Sequence, residues 1–470
     1  MKPEFPDKGE LESKISKARE LVNVGELEEA ISLLSSLIKA MERLEKPHEY
    51  EKYEVDSFAE LGKAYWKKGD YDDAKKLLDK AINLASRISY DLGRVYALNY
   101  RGNIELSQGN LTSAEEIYLE CLDVRKRETD MLGVAVCLMN LGVTYIEAGN
   151  LAKAIDHFEE AIAISKEYET LDAKSILATA LNNLAGCYRN QGELEKAEPL
   201  YFESIEVSRS IAKQDGIALC LTSLGILAFA MGDLETAKAR LTESQQLWQE
   251  LGINNPPFVK NLATLAGVHA ELGNFDKAER LLDKARENAK MIKSDLALLH
   301  TDFFAGVLEK KKGNVASARR SFESCLTKAK ENFEVKLRSL VELALISCFE
   351  YRLSLEEQHI ARTQEIIEQI LQAAVEQRMI SVQAEAEIIQ GMLYSATMNY
   401  DGALRALAKG LELAEQLPKQ TEMAKEQIAK TKRLKERARK LVKPTTQEEQ
   451  VEEVQRYLNK YQQLLKAFKS

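Results

Sequence analysis

Five histidines and six cysteines hold most of the latent chemistry of this 470-residue chain, and their spacing argues against both catalysis and metal binding. His48, His157, His269, His300 and His359 stand far apart. None has a second His, or a Cys, at the short intervals that bring ligands together on one ion. Cys121, Cys137, Cys187, Cys220, Cys325 and Cys348 form no CxxC pair. The chain carries no Gly-rich phosphate loop, no dinucleotide-binding glycine fingerprint and no HExxH helix. Its 74 Asp and Glu face 65 Lys and Arg, and on helices such residues mark a solvated face. The expectation is a protein that is not an enzyme, with no catalytic residue, cofactor or metal.

The elements that position these residues repeat. A Gly, then a small polar residue, then Ala five positions after the Gly recurs at Gly25, Gly69, Gly109, Gly149, Gly192, Gly232, Gly273 and Gly313. A further copy has Met398-Asn399 and Ala403, which leaves room for one degenerate unit before it. Steps of 40 to 44 residues mean stacked supersecondary units whose core lies between neighbours. In the unit Asp130 to Tyr168, Asp130 is placed to cap a helix, and Asp91, Asp172, Asp215 and Asp295 are expected to precede the first helix of four other units. Val136, Leu138, Leu141 and Tyr145 give that helix an apolar face. Gly149-Asn150 then turns the chain into a second helix with Ala154, Phe158 and Ile162 on one side. Each unit is therefore an antiparallel helix pair, and the fold class is an all-α solenoid.

Two further positions keep step. A small residue sits seven before the motif Gly (Ala18, Gly62, Gly102, Gly142, Ala185, Gly225, Ala266, Gly306, Gly391). A large one sits nine after it (Leu34, Leu78, Tyr118, Phe158, Tyr201, Leu241, Leu282, Phe322, Leu407). Four of the cysteines fall at repeat-equivalent places, which suits buried small hydrophobes in a reducing, cytoplasmic setting. The start lacks an apolar signal region, and no apolar run approaches the ~20 residues of a membrane span. A net charge of -9 gives no general affinity for nucleic acid.

The small-Gly-Tyr…Gly…Ala…Phe…Ala pattern resembles the tetratricopeptide repeat (TPR) family over about residues 10–418. Leu181-Asn182-Asn183-Leu184-Ala185-Gly186 through Gly192, with Lys196-Ala197-Glu198-Pro199-Leu200-Tyr201, is similar to kinesin light chain repeats. Asn140-Leu141-Gly142…Tyr145…Gly149-Asn150 is similar to the repeats of Pins/LGN-type adaptors. The resemblance implies a right-handed superhelix of about ten hairpins. It also implies that the first helix of each pair lines a concave groove for a peptide or partner helix. Carried over by position, the groove residues are Asn99, Asn103, Asn140, Asn182 and Asn183, with Val143, Ile146, Arg189, Ile226 and Phe229. Asn140 and Asn183 match the asparagine ladder by which such repeats grip an extended backbone, a task suited to an amide that donates and accepts at once. The family implies a protein-interaction scaffold or adaptor. A regulator that answers a signal peptide and sequesters a partner is the alternative from a second class.

The hairpin over 334–378 has lost the Gly-Asn turn and carries Tyr351-Arg352-Leu353-Ser354-Leu355 there. Drift of a structural unit, a break in pitch and a binding insertion are all open. Residues 1–9 read as a loose N-terminus. Residues 419–443 carry ten Lys and Arg against three Glu, net +7, and read as a basic helix capping the solenoid. Contact with nucleic acid, with the acidic solenoid itself or with acidic lipid, the last as in a membrane-recruited trafficking adaptor, is the rival reading of that helix. After Pro444, the residues Val451, Val454, Leu458, Tyr461, Leu465 and Phe468 step by threes and fours along an amphipathic helix. That coiled-coil-like seam either docks on the solenoid, leaving a monomer, or pairs with a second chain through 447–468.

Overall fold

A computed structural model describes residues 7–42, 50–329, 332–415 and 417–441, and among these there is no strand. Ten helix pairs follow one another. They are α1 (Lys8–Val24) with α2 (Leu27–Glu42), α3 (Glu51–Lys68) with α4 (Tyr71–Arg87), α5 (Asp91–Ser107) with α6 (Leu111–Arg127) and α7 (Met131–Glu147) with α8 (Leu151–Lys166). Then come α9 (Leu171–Gln191) with α10 (Leu194–Ser210), α11 (Gln214–Met231) with α12 (Leu234–Glu250) and α13 (Pro256–Glu271) with α14 (Phe275–Met291). The last three are α15 (Asp295–Lys311) with α16 (Val315–Lys328), α17 (Phe333–Ser354) with α18 (Glu357–Glu376) and α19 (Ile380–Ala396) with α20 (Tyr400–Leu413), after which α21 (Pro418–Leu441) stands alone.

The repeated Gly-Asx dipeptide does two separate jobs. Gly69, at φ 85, ends α3 in the left-handed conformation that glycine adopts without strain. In some copies the next side chain also caps the following helix: Asn150 Oδ1 accepts from Lys153 N at 3.2 Å, and Asp233 Oδ1 from Thr236 N at 3.1 Å, whereas Asp70, Asn110, Asn274 and Asn314 make no such bond. Asp130 caps α7 through Gly133 N at 3.0 Å, as its place predicts. Where the glycine is missing the turn survives. Leu355 takes φ 59 between α17 and α18, and Met398 takes φ 64 between α19 and α20. The unit over 334–378 thus keeps a helix–turn–helix order with a changed turn residue, its first helix running to 22 residues.

The small and large positions are partners. A Cβ added at Gly142 would lie 2.6 Å from the Phe158 ring, and one at Gly225 2.5 Å from Leu241. Sixteen residues separate the members of each pair, so hydrogen in place of a methyl lets the two helices of a hairpin close on a large side chain. Phe158, Tyr118, Tyr201 and Phe322 are fully buried as a result.

Two compact units result. The first holds the described residues up to Arg189 and Glu193–Lys336. Within it the chain meets itself twice. The α3–α4 turn reaches the α14–α15 turn, where Lys293 pairs with Asp70 and Ile292 O would lie 3.0 Å from a Cβ at Gly69. Likewise Phe333 packs against Gly149 while the Asn332 amide bonds the Glu147 carboxylate. Repeats far apart in sequence thus become neighbours across two seams.

The second unit holds Asn190–Gly192 and the described residues from Leu337. Its last hairpin is covered by α21, whose Ala424 joins Ile388 and Leu407 in one buried cluster. Gln420 donates to Glu385 at 2.8 Å, and Thr431 to Ser395 at 3.3 Å. The basic helix is therefore a cap, with Lys425, Lys430, Lys432, Arg433 and Arg437 exposed on its other face.

Three expectations need correction. Helix α1 begins at Lys8, capped by Asp7 through Gly9 N at 3.2 Å, so residues 8 and 9 are not loose. Asp91, Asp172, Asp215 and Asp295 lie within the first two residues of α5, α9, α11 and α15 rather than before them, and Ser294 caps α15. Among the described residues α11 is long and apolar enough to cross a membrane by composition, although no such run was anticipated. It is mostly buried between α10, α12 and α13, which explains its composition. The amphipathic segment 444–470 lies outside the described residues.

Candidate binding groove

The first helices of successive pairs in the first unit touch one another directly, α1 with α3, α3 with α5, α11 with α13 and α13 with α15. Polar and aromatic side chains bridge these steps. Asn140 Nδ2 on α7 donates to Asn99 Oδ1 on α5 at 2.8 Å. One repeat step therefore joins two of the predicted groove amides, and the bond leaves Asn140 a second N–H and its carbonyl oxygen for another partner. Asn103 instead turns into its own hairpin and accepts from the Tyr118 hydroxyl at 2.7 Å.

The predicted residues fall into two groups. Asn99, Asn182 and Ile226 are buried, which makes them supports of the wall. Asn103, Asn140, Val143, Ile146, Asn183, Arg189 and Phe229 are half-buried. Asn182 Nδ2 points to Asn183 Oδ1 at 3.4 Å, a long contact, so these two amides are only loosely joined. Phe229 packs on Phe304, with ring centroids 6.3 Å apart. Arg189 faces the Tyr201 hydroxyl and the Glu334 carboxylate.

Two charged networks were not anticipated. In the first, the fully buried Glu60 carboxylate of α3 takes Arg19 Nε at 2.6 Å and the Tyr96 hydroxyl at 2.6 Å, tying α1, α3 and α5 together. Trp66 and Tyr96 flank Tyr100 at 5.7 and 5.2 Å, with the Lys63 ammonium 5.5 Å from the Tyr100 centroid. Burial raises the nearby Asp56 carboxyl to about 6, although Arg19 pulls the other way. The second network lies at the seam. Lys260 Nζ is 3.5 Å from Glu334 Oε2, and the Glu147 carboxyl beside them is pushed up to about 7. Burial is the main cause, Glu334 adds repulsion, and Lys260 and the Asn332 amide oppose it. Glu60 had no apolar face to mark it, since Asp56, Ser57, Lys63 and Lys67 stand at helical spacing around it. Glu147 had no signal either, because its partners lie far along the chain.

All six cysteines are buried. Burial pushes the Cys187 thiol up to about 12 and the Cys220 thiol up to about 11, far from the reactive range. His269 is also buried, and its imidazole is pushed down by burial with Lys277 and Lys238 nearby, as befits a neutral core ring.

The MalT-like TPR region family model matches residues 126–417, and a tetratricopeptide repeat model matches residues 53–126. No curated protein sequence matches. Among solved structures, a Rap protein complexed with competence and sporulation factor is similar at 16% identity and TM-score 0.52, over 88% of this chain and all of that one. The Rap conjugation gene regulator of plasmid pLS20, in complex with the Phr* peptide, has 14% identity and TM-score 0.52, over 78% of this chain and 97% of that one. The apo quorum sensor NprR of B. thuringiensis has 15% identity and TM-score 0.50, over 77% and 99%. At these identities the likeness concerns the fold.

Proposed function

The chain belongs to the MalT-like TPR family, and from that premise we propose that it is a non-enzymatic interaction scaffold that holds a peptide or partner helix along the first helices of its first unit. The observation that carries the reading is the Asn140–Asn99 bond. It fixes one amide in register with the repeat and leaves hydrogen-bonding capacity beside the half-buried Val143 and Ile146. An extended backbone needs alternating donors and acceptors, and its side chains need apolar ground between them. Arg189 and Lys260 add cations balanced by Glu334, which suits a ligand of mixed charge more than nucleic acid. The reading places the protein in the cytoplasm, as a monomer.

A second reading, a peptide-responsive regulator that sequesters a partner, draws support from the structure solved with the Phr* peptide. Both readings use the same groove. The test is affinity capture followed by calorimetry on the partner found. Asn140→Ala/Asn183→Ala should weaken binding roughly 5- to 30-fold, about 1–2 kcal/mol of lost hydrogen bonding. Unchanged affinity in that double variant refutes the site.

A further inference from the structure

Between the two seams of the first unit lies a cavity of about 540 Å³, within the range of small-molecule sites. Its lining comes from two parts of the chain. Leu106 lies at the end of α5, Gly109 in the turn and Leu111 at the start of α6, while Leu296, Leu298 and Leu299 belong to α15.

Its charged groups are unevenly engaged. Arg286, Lys290 and Lys328 all line it. Arg286 and Lys328 share the Asp302 carboxylate, at 3.5 and 3.0 Å, and Arg286 also reaches Asp283 at 3.7 Å. Lys290 is exposed and makes no ion pair among the described residues. The other two acids of the lining are already answered. Glu147 takes the Asn332 amide, and Asp295 opens α15, where the helix dipole favours a negative charge. One cationic edge with spare capacity thus borders a leucine-lined space.

We propose that this cavity binds a small amphipathic anion, with an apolar body on the leucines and a single carboxylate, sulfonate or phosphate group held by Lys290 together with Arg286 and Lys328. A bound molecule touches chain segments nearly two hundred residues apart and so stabilises the closed seam by mass action. Glu147 and Asn332 belong both to this lining and to the charged network at the seam, so occupancy is felt there. The inference stands apart from the peptide reading, since none of its apolar or cationic lining residues is in the predicted groove set.

The test uses the full chain and the fluorescent sulfonate 1-anilinonaphthalene-8-sulfonate as probe, with decanoate and decylammonium as competitors. One saturable site is expected, displaced by decanoate and at least tenfold less by decylammonium. Lys290→Glu should weaken the probe about tenfold, and Lys290→Gln about threefold should the reversal disturb folding. Lys196→Glu, an equal charge change on exposed α10, should leave affinity within twofold. Three results overturn the proposal: no saturable binding, equal displacement by both competitors, or Lys290 variants that bind like the parent with unchanged thermal melts.

Discussion

Replacing Glu147 by Gln should stabilise the first unit in alkali and leave it unchanged in acid. The carboxyl has an ordinary value of 4.5 and is raised to about 7 by burial at the seam beside Glu334. A raised carboxyl binds its proton more tightly in the folded state than in the unfolded chain. Stability is therefore lost as pH climbs from about 4.5 to 7, and the loss is complete above that. The shift corresponds to about 3 kcal/mol at most, and to about 1–2 kcal/mol once solvent at the partly exposed edge of the group is counted. Gln keeps an oxygen for the Asn332 amide and offers its N–H groups to Glu334, without a charge to desolvate. At about 2 °C per kcal/mol for a unit of this size, the variant should melt some 2–4 °C above the parent at pH 8.5, and level with it at pH 4.5. Asp56, also raised by burial, tilts the parent's pH profile in the same sense, so the difference between variant and parent is the quantity to read. Calorimetry at the two pH values decides. A difference that is equal at both, or a less stable variant at pH 8.5, refutes the reasoning.

Other outcomes follow from the packing. Met398→Gly should stabilise the second unit by about 0.5–1 kcal/mol, because an exposed Met at φ 64 gives up left-handed strain and no packing; a neutral or lower melt contradicts this. Gly142→Ala drives a methyl into the Phe158 ring and should cost about 1–3 kcal/mol in denaturant titration, partly recovered by a second change, Phe158→Leu. Ending the chain before Pro418 uncovers Ile388 and Leu407 and should lower the melt of the second unit, and an unchanged melt contradicts this. The six thiols should react with Ellman's reagent at pH 8 only on unfolding, and rapid labelling of most of them in the native protein would show that the helices open.

The sequence by itself determined the hairpin. Gly149-Asn150 specifies one helix ending in the left-handed conformation and the next one capped, and both signals act within four residues. The same holds for Gly142 with Phe158, whose sixteen-residue spacing is set by a single turn between two helices. Each such contact is local, so a repeated spacing carries it. The Asn99–Asn140 bond was within reach for a related reason, since stacking at a constant period brings equivalent positions together. What only the tertiary structure decided is everything that depends on summed curvature. A small rotation per repeat, accumulated over about five repeats, carries Lys293 to Asp70 and Asn332 to Glu147. No motif marks these residues, because their meeting is a property of the whole array and not of any one unit. The raised carboxyl at Glu147 and the leucine-lined cavity beside it arise in the same way, from segments that share no local signal and meet only when the superhelix closes.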